Sequence, residues 1–125
     1  MSTFRRVITV SGSTGGAGVS TATADSDVII NGLITAIYLE YTGAPPAGTT
    51  DVVIVEANND PAMAILTLTN SATDGWYAPV HAAVDVTDGV ALGPGMFVAV
   101  NDYIMATITG ANDDDGVIVT IVYVT

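Results

Sequence analysis

The chain has 125 residues and a mass of 12.7 kDa, enough for one hydrophobic core without covalent staples and too little for two. Hydrophobic residues make up 50% of it and charged residues only 12%, against a usual charged share of about 25%, and thirteen Asp and Glu face two arginines for a formal net charge of -11. That balance excludes nucleic acid and anionic membrane as partners, since both need clustered basic side chains, and the absence of cysteine excludes a disulfide framework and a thiolate metal site.

Residues 4–10, Phe4-Arg5-Arg6-Val7-Ile8-Thr9-Val10, predict a first strand. The apolar stretch after Arg6 is broken at Ser11-Gly12, short of the roughly 7 to 15 residues of a secretory apolar region, so no signal peptide is expected. From 11 to 27 the chain is mostly Ser, Gly, Thr and Ala, with too little apolar surface to offset its ordering entropy. Residues 1–27 are therefore expected to form a flexible or partner-ordered arm, with an edge strand near 19–24, ahead of a domain at 28–125. The run Gly12-Ser13-Thr14-Gly15-Gly16-Ala17-Gly18 has neither G-K-[ST] nor G-x-G-x-x-G and is not a nucleotide loop.

Beyond the arm, β-branched and aromatic runs recur at 28–30, 33–41, 51–57, 64–69, 76–80, 96–100, 103–109 and 117–124. Gly, Pro, Asn and Asp clusters separate them, among them Gly43-Ala44-Pro45-Pro46, Asn58-Asn59-Asp60-Pro61 and Gly93-Pro94-Gly95. Helical signals are scarce and no segment approaches the roughly 18 apolar residues of a membrane helix. The expected class is all-β, a jelly-roll-like β-sandwich of about eight strands in a single domain. In the last strand Val117, Val119, Ile121 and Tyr123 share one face, and Ile118, Thr120, Val122 and Val124 share the other. A two-layer sandwich strand has one solvated face, so the second apolar face predicts cover by another subunit, since little chain is left for a third layer; cover by the arm or plain exposure of Val and Thr are the alternatives.

Few residues carry chemistry. Asp113-Asp114-Asp115-Gly116 lacks the alternating ligands and closing glutamate of an EF-hand and reads as a hairpin turn with a solvated tip. An irregular calcium site joined by Asp85, Asp88 or Asp102 is the other reading. His81, the only histidine, has no G-x-S-x-G elbow to serve, and reads as a strand-end residue rather than a base. Glu40 and Glu56 are a candidate glycosidase pair, or glutamates of strand faces and edges. Trp76 and Tyr77 follow a glycine turn and point to opposite faces of a strand, so one enters the core while the other lies at an interface or a sugar platform. No catalytic, cofactor or metal residue is assigned.

The blocks Gly32-Leu33-Ile34-Thr35-Ala36-Ile37-Tyr38 leading into Tyr41, Leu66-Thr67-Leu68-Thr69, Trp76-Tyr77-Ala78-Pro79, Asp88-Gly89-Val90-Ala91-Leu92 and Gly116-Val117-Ile118-Val119-Thr120-Ile121-Val122-Tyr123 follow one another in an informative order. Together they resemble small β-rich virion proteins of tailed bacteriophages, of the capsid decoration (cement) type. The resemblance implies a structural protein on the capsid exterior with no enzymatic activity. Its partner would be the major capsid protein of the same virus, bound by a homo-oligomer, most simply a trimer at three-fold positions. Phe4, Arg5, Arg6, Trp76, Tyr77 and His81 are the expected partner-binding residues. The alternative is a carbohydrate-binding or adhesion module of a phage head fibre or tail, using exposed aromatics and acidic loops.

Overall fold

A computed structural model describes residues 2–43, 46–81, 87 and 95–125. The strands are β1 (Thr3–Val10), β2 (Ser20–Asp25), β3 (Ile30–Tyr41), β4 (Asp51–Glu56), β5 (Ala64–Leu68), β6 (Gly75–Tyr77), β7 (Val80–His81), β8 (Met96–Asp102), β9 (Ile104–Ala111) and β10 (Val117–Val124). One sheet runs β1-β10-β3-β8-β7, with β6 also paired to β3, and the other runs β2-β9-β4-β5. Every pairing is antiparallel. The chain changes sheet between β1 and β2, β2 and β3, β3 and β4, β5 and β6, β8 and β9, and β9 and β10, so that β1-β10-β3-β8 lies against β2-β9-β4-β5. This is jelly-roll order, and the domain is an all-β two-sheet sandwich.

The core is aliphatic. Ile37 and Leu39 from β3, Val52 and Ile54 from β4, Ile104 and Ile108 from β9, and Val119 and Ile121 from β10 are all within 1% of complete burial. They come from alternate positions of facing strands, the period-2 pattern that a half-buried strand requires.

Residues 2–27 are not an arm. All eight residues of β1 pair with β10, from Thr3 with Val124 to Val10 with Val117, and Ile8 and Val10 are buried. β2 pairs with β9 and packs Ala22 and Ala24 against the core. The composition looked too polar to order, but Ser20, Ala22 and Ala24 alternate with Thr21, Thr23 and Asp25, and small inward residues suffice for an edge strand close to its partner sheet.

The expected strands at 28–30 and 33–41 are parts of one long strand. The expected break falls at Asn31-Gly32, yet Gly32 lies within β3 at φ +154, and a Cβ there would meet the carbonyl oxygen of Val124. The glycine allows close backbone approach instead of a chain reversal. Ala36 pairs with Val122 and Ile34 with Tyr123, leaving Thr35 as an extra residue, a β-bulge. The bulge reverses the phase of β3. Ile30 and Ile34 point inward on one side of it, Ile37 and Leu39 on the other, and Leu33 is turned out. The expected strand at 76–80 divides into β6 and β7 around buried Pro79, which has no amide hydrogen for a ladder.

The second face of β10 is half-buried within the single chain at Ile118, Thr120, Val122 and Val124. β10 lies inside its sheet, between β1 and β3, so neighbouring side chains shield that face in part. It needs neither a subunit nor a third layer to reach this level of burial.

Candidate binding face

The outer surface of the β1-β10-β3 sheet follows from the register. Val7 pairs with Thr120, Thr120 with Tyr38, and Tyr38 with Trp76, so these four side chains form a row across β1, β10, β3 and β6. One step along lies the row of Arg5, Val122 and Ala36. Trp76 is 56% exposed, and its ring centroid is 5.0 Å from that of Tyr38 at an interplanar angle of 52°. The Arg5 guanidinium carbon is 6.0 Å from the Trp76 ring centroid. β1 and β6 are separated by β10 and β3, about 14 Å at the usual strand spacing, so both side chains lean across the sheet to meet. Such a contact at an exposed site contributes about 0.5–1 kcal/mol.

Beyond the Thr35 bulge the same face becomes apolar. Leu33, Val80 and Phe97 are 40%, 48% and 50% exposed, and Val80 pairs directly with Phe97 across β7 and β8. With Gly95 and Met96 they line a shallow cleft of about 310 Å³. A second, of about 450 Å³, adjoins it through Leu33 and extends along Gly32, Ala99 and Val124. A large exposed indole and a contiguous apolar field are both uncommon on a protein that works alone.

Other expected site residues lie elsewhere. Phe4 stacks on its neighbour Tyr123, centroids 5.5 Å apart, and so contributes within the chain. Arg6 alternates with Arg5 to the inward side, in phase with buried Ile8, and its Nε is buried without a hydrogen-bond partner. Tyr77 faces inward and packs against the core, so Trp76 and Tyr77 do not form a platform; the aromatic beside Trp76 is Tyr38. His81 pairs with Met96 through its backbone, and its side chain lies outside the described residues, as do Asp85, Asp88 and the 88–92 block.

Glu40 and Glu56 are not a catalytic pair. Glu40 is exposed near the end of β3, whereas Glu56 is buried at the end of β4 in the opposite sheet, where it accepts hydrogen bonds from Asn59 Nδ2 at 2.6 Å and the Met63 amide at 2.9 Å. Its role is to fix the turn that carries the cis Asp60-Pro61 bond.

The acidic turn also has an internal task. Asp113 Oδ1 accepts from Ser20 Oγ at 2.7 Å and from the Gly16 amide at 2.9 Å, while Asn112 Oδ1 accepts from the Gly18 amide at 3.0 Å. The Gly-rich loop between β1 and β2 is thereby strapped to the β9–β10 turn, with Gly16 at φ +111, where only glycine is comfortable. Asp102 cannot join Asp113 in a cation site, because it lies before β9 and Asp113 follows it, at opposite ends of that strand. There it accepts from the Asn58 and Asn59 amides at 2.7 and 2.8 Å. Among the described residues no group of three metal-ligating side chains converges.

The Ser20 hydroxyl, then the Gly16 and Gly15 amides, hold the Asp113 carboxyl below its usual value, against a smaller opposing effect of burial. Burial is the largest single influence on Asp102 and would raise it, but the Asn58, Asn59 and Tyr103 amides and the Asn58 side chain together lower it. A depressed folded value stabilises above the unfolded one and loses that contribution as pH falls through the folded value. The strap is thus expected to hold at neutral pH and to release only below about pH 4. The Gly16 amide resonance in an NMR pH titration reports it locally, apart from Asp102. In Asp113→Ala that resonance is expected to sit at its released position at pH 7.

No protein-family model matches the chain, and no curated protein matches it. Among solved structures it is similar to the CBM32 of AlyQ in complex with 4,5-unsaturated mannuronic acid, with TM-score 0.45 and 11% identity over 94% of this chain and 75% of that one. It is also similar to a mutant of CBM29-2, a family 29 carbohydrate binding module, with TM-score 0.47 and 12% identity over 99% of this chain and 81% of that one.

Proposed function

We propose that this domain is a non-catalytic carbohydrate-binding module that holds a saccharide against the Trp76–Tyr38 pair. The observation that carries the reading is a largely exposed indole on a strand, set against a second aromatic ring and crossed by an arginine. A pyranose presents an apolar C–H face that stacks on an aromatic surface and a polar rim that needs donors and acceptors. Arg5 supplies donors, and Thr120 and Glu40 lie on the same face. A rigid sheet holds these groups in place without an ordering cost at binding. Acidic loops play no part in this version of the site, because Asp113 is engaged by the Gly-rich loop. Trp76→Ala is expected to weaken binding of a retained oligosaccharide at least tenfold, about 1.4 kcal/mol, in calorimetric titration. Unchanged affinity would remove Trp76 from the site.

A second reading is favoured by the aliphatic half of the face. Leu33, Val80 and Phe97 offer no hydrogen bonds to a sugar, whereas apolar side chains beside Trp, Tyr and Arg suit a protein partner. With the order of sequence blocks described above, this supports decoration of a phage capsid, by a homotrimer on the shell exterior. Co-sedimentation with empty capsids that persists in excess oligosaccharide, and is lost in Phe97→Ser, would favour it over the first.

A further inference from the structure

We infer that the saccharide taken by this face is acidic, and that its carboxylate pairs with Arg5; the inference rests on the carbohydrate reading. The chain has two arginines, no other basic side chain except His81, and thirteen acidic residues. Thirteen carboxylates to two arginines give an arginine many possible partners in this chain. Arg5 instead lies across the sheet face against Trp76. A ring face attracts the guanidinium but accepts few of its five N–H donors, which are fixed in a planar fork. A carboxylate on a bound sugar matches that fork with two parallel hydrogen bonds, stronger than those to a neutral hydroxyl.

The face is also polarised along β3. Arg5 belongs to the row of Ala36, whereas Glu40 lies in register with Ile118 on the far side of Tyr38. A sugar stacked at Tyr38 and Trp76 therefore has a cation toward one end and an anion toward the other. Its acidic group faces the Arg5 end, and Glu40 accepts from hydroxyls at the other. The net charge of -11 opposes an anion at long range. Beyond a Debye length of about 8 Å at physiological ionic strength that repulsion is largely screened, and the local pair decides.

Trp76 is the only tryptophan, so its fluorescence reads the site directly. A panel of uronate oligosaccharides, each beside its carboxyl-reduced form, and a set of neutral oligosaccharides are titrated into the full chain. At least one acidic form is expected to bind tenfold or more tightly than its reduced counterpart. Arg5→Gln should bring that ratio close to one, and Arg5→Lys, which keeps the charge but not the fork, should restore part of it. Equal binding of the acidic and reduced forms, or a ratio untouched by Arg5→Gln, overturns the inference and leaves the carbohydrate reading standing. If no saccharide, acidic or neutral, perturbs Trp76, the carbohydrate reading falls and the inference with it.

Discussion

Removal of residues 1–18 is expected to leave a chain that no longer folds. The deletion takes away all of β1 and with it two fully buried side chains, Ile8 and Val10, each contributing about 1.5–3 kcal/mol by burial. It also strips the ladder of hydrogen bonds from one edge of β10, whose inward residues Val117, Val119 and Ile121 are completely buried. The Gly-rich loop goes too, leaving Asp113 without its Gly16 partner. Against a total stability of about 5–15 kcal/mol for a domain of this kind, these losses are decisive. Circular dichroism on heating should show no cooperative transition, and gel filtration an expanded or aggregated species. A truncated chain that melts cooperatively would show β1 to be a dispensable cover.

Ile37→Ala is expected to be strongly destabilising, costing about 2–5 kcal/mol. Ile37 is completely buried on β3, flanked in its sheet by Ile121 of β10 and Tyr77 of β6, and strands held on both sides collapse poorly into a cavity. Phe97→Ala is the companion measurement. Its ring is half-exposed on the outer face, and surface substitutions of that sort stay within about 0.5 kcal/mol. Urea midpoints should thus separate the two variants widely. A Phe97 variant as unstable as the Ile37 one would mean that the outer aliphatic field belongs to the core and is not free for a partner.

Much of the sandwich was legible because its strands obey one pattern. In β10 and β4 every second residue is buried, and the β-branched runs between turn residues mark both as strands although the residue types barely alternate. Failures occurred where small residues did the work of large ones. Ala22 and Ala24 are partly buried and pack β2 against the core with small side chains, and a composition count cannot see it. The candidate face was half legible. Trp76 stood out as the only tryptophan, but Tyr38 did not, although Glu40 at the same phase of β3 marks that side as outward. The approach of Arg5 was invisible, since β1 and β6 become neighbours only through two intervening strands. Phe4 and Arg6, named with Arg5 because they adjoin it, are divided from it by the alternation of a strand whose pairing had not been foreseen.

The spare residue at Thr35 has a bearing on how such a surface changes over generations. A strand with unbroken alternation shows solvent a single set of side chains along its length. With the phase change, β3 shows Leu33 before the bulge and Tyr38 and Glu40 after it, so an aliphatic and an aromatic–charged surface adjoin on one rigid element. Losing the Thr35 codon would place Ile34 directly beside Ala36 in unbroken alternation, with Ile34 and Ile37 still inward and Leu33 and Tyr38 still outward. A lineage can therefore gain or lose the spare residue without changing what either half of the face presents, and the two halves diverge by substitution alone.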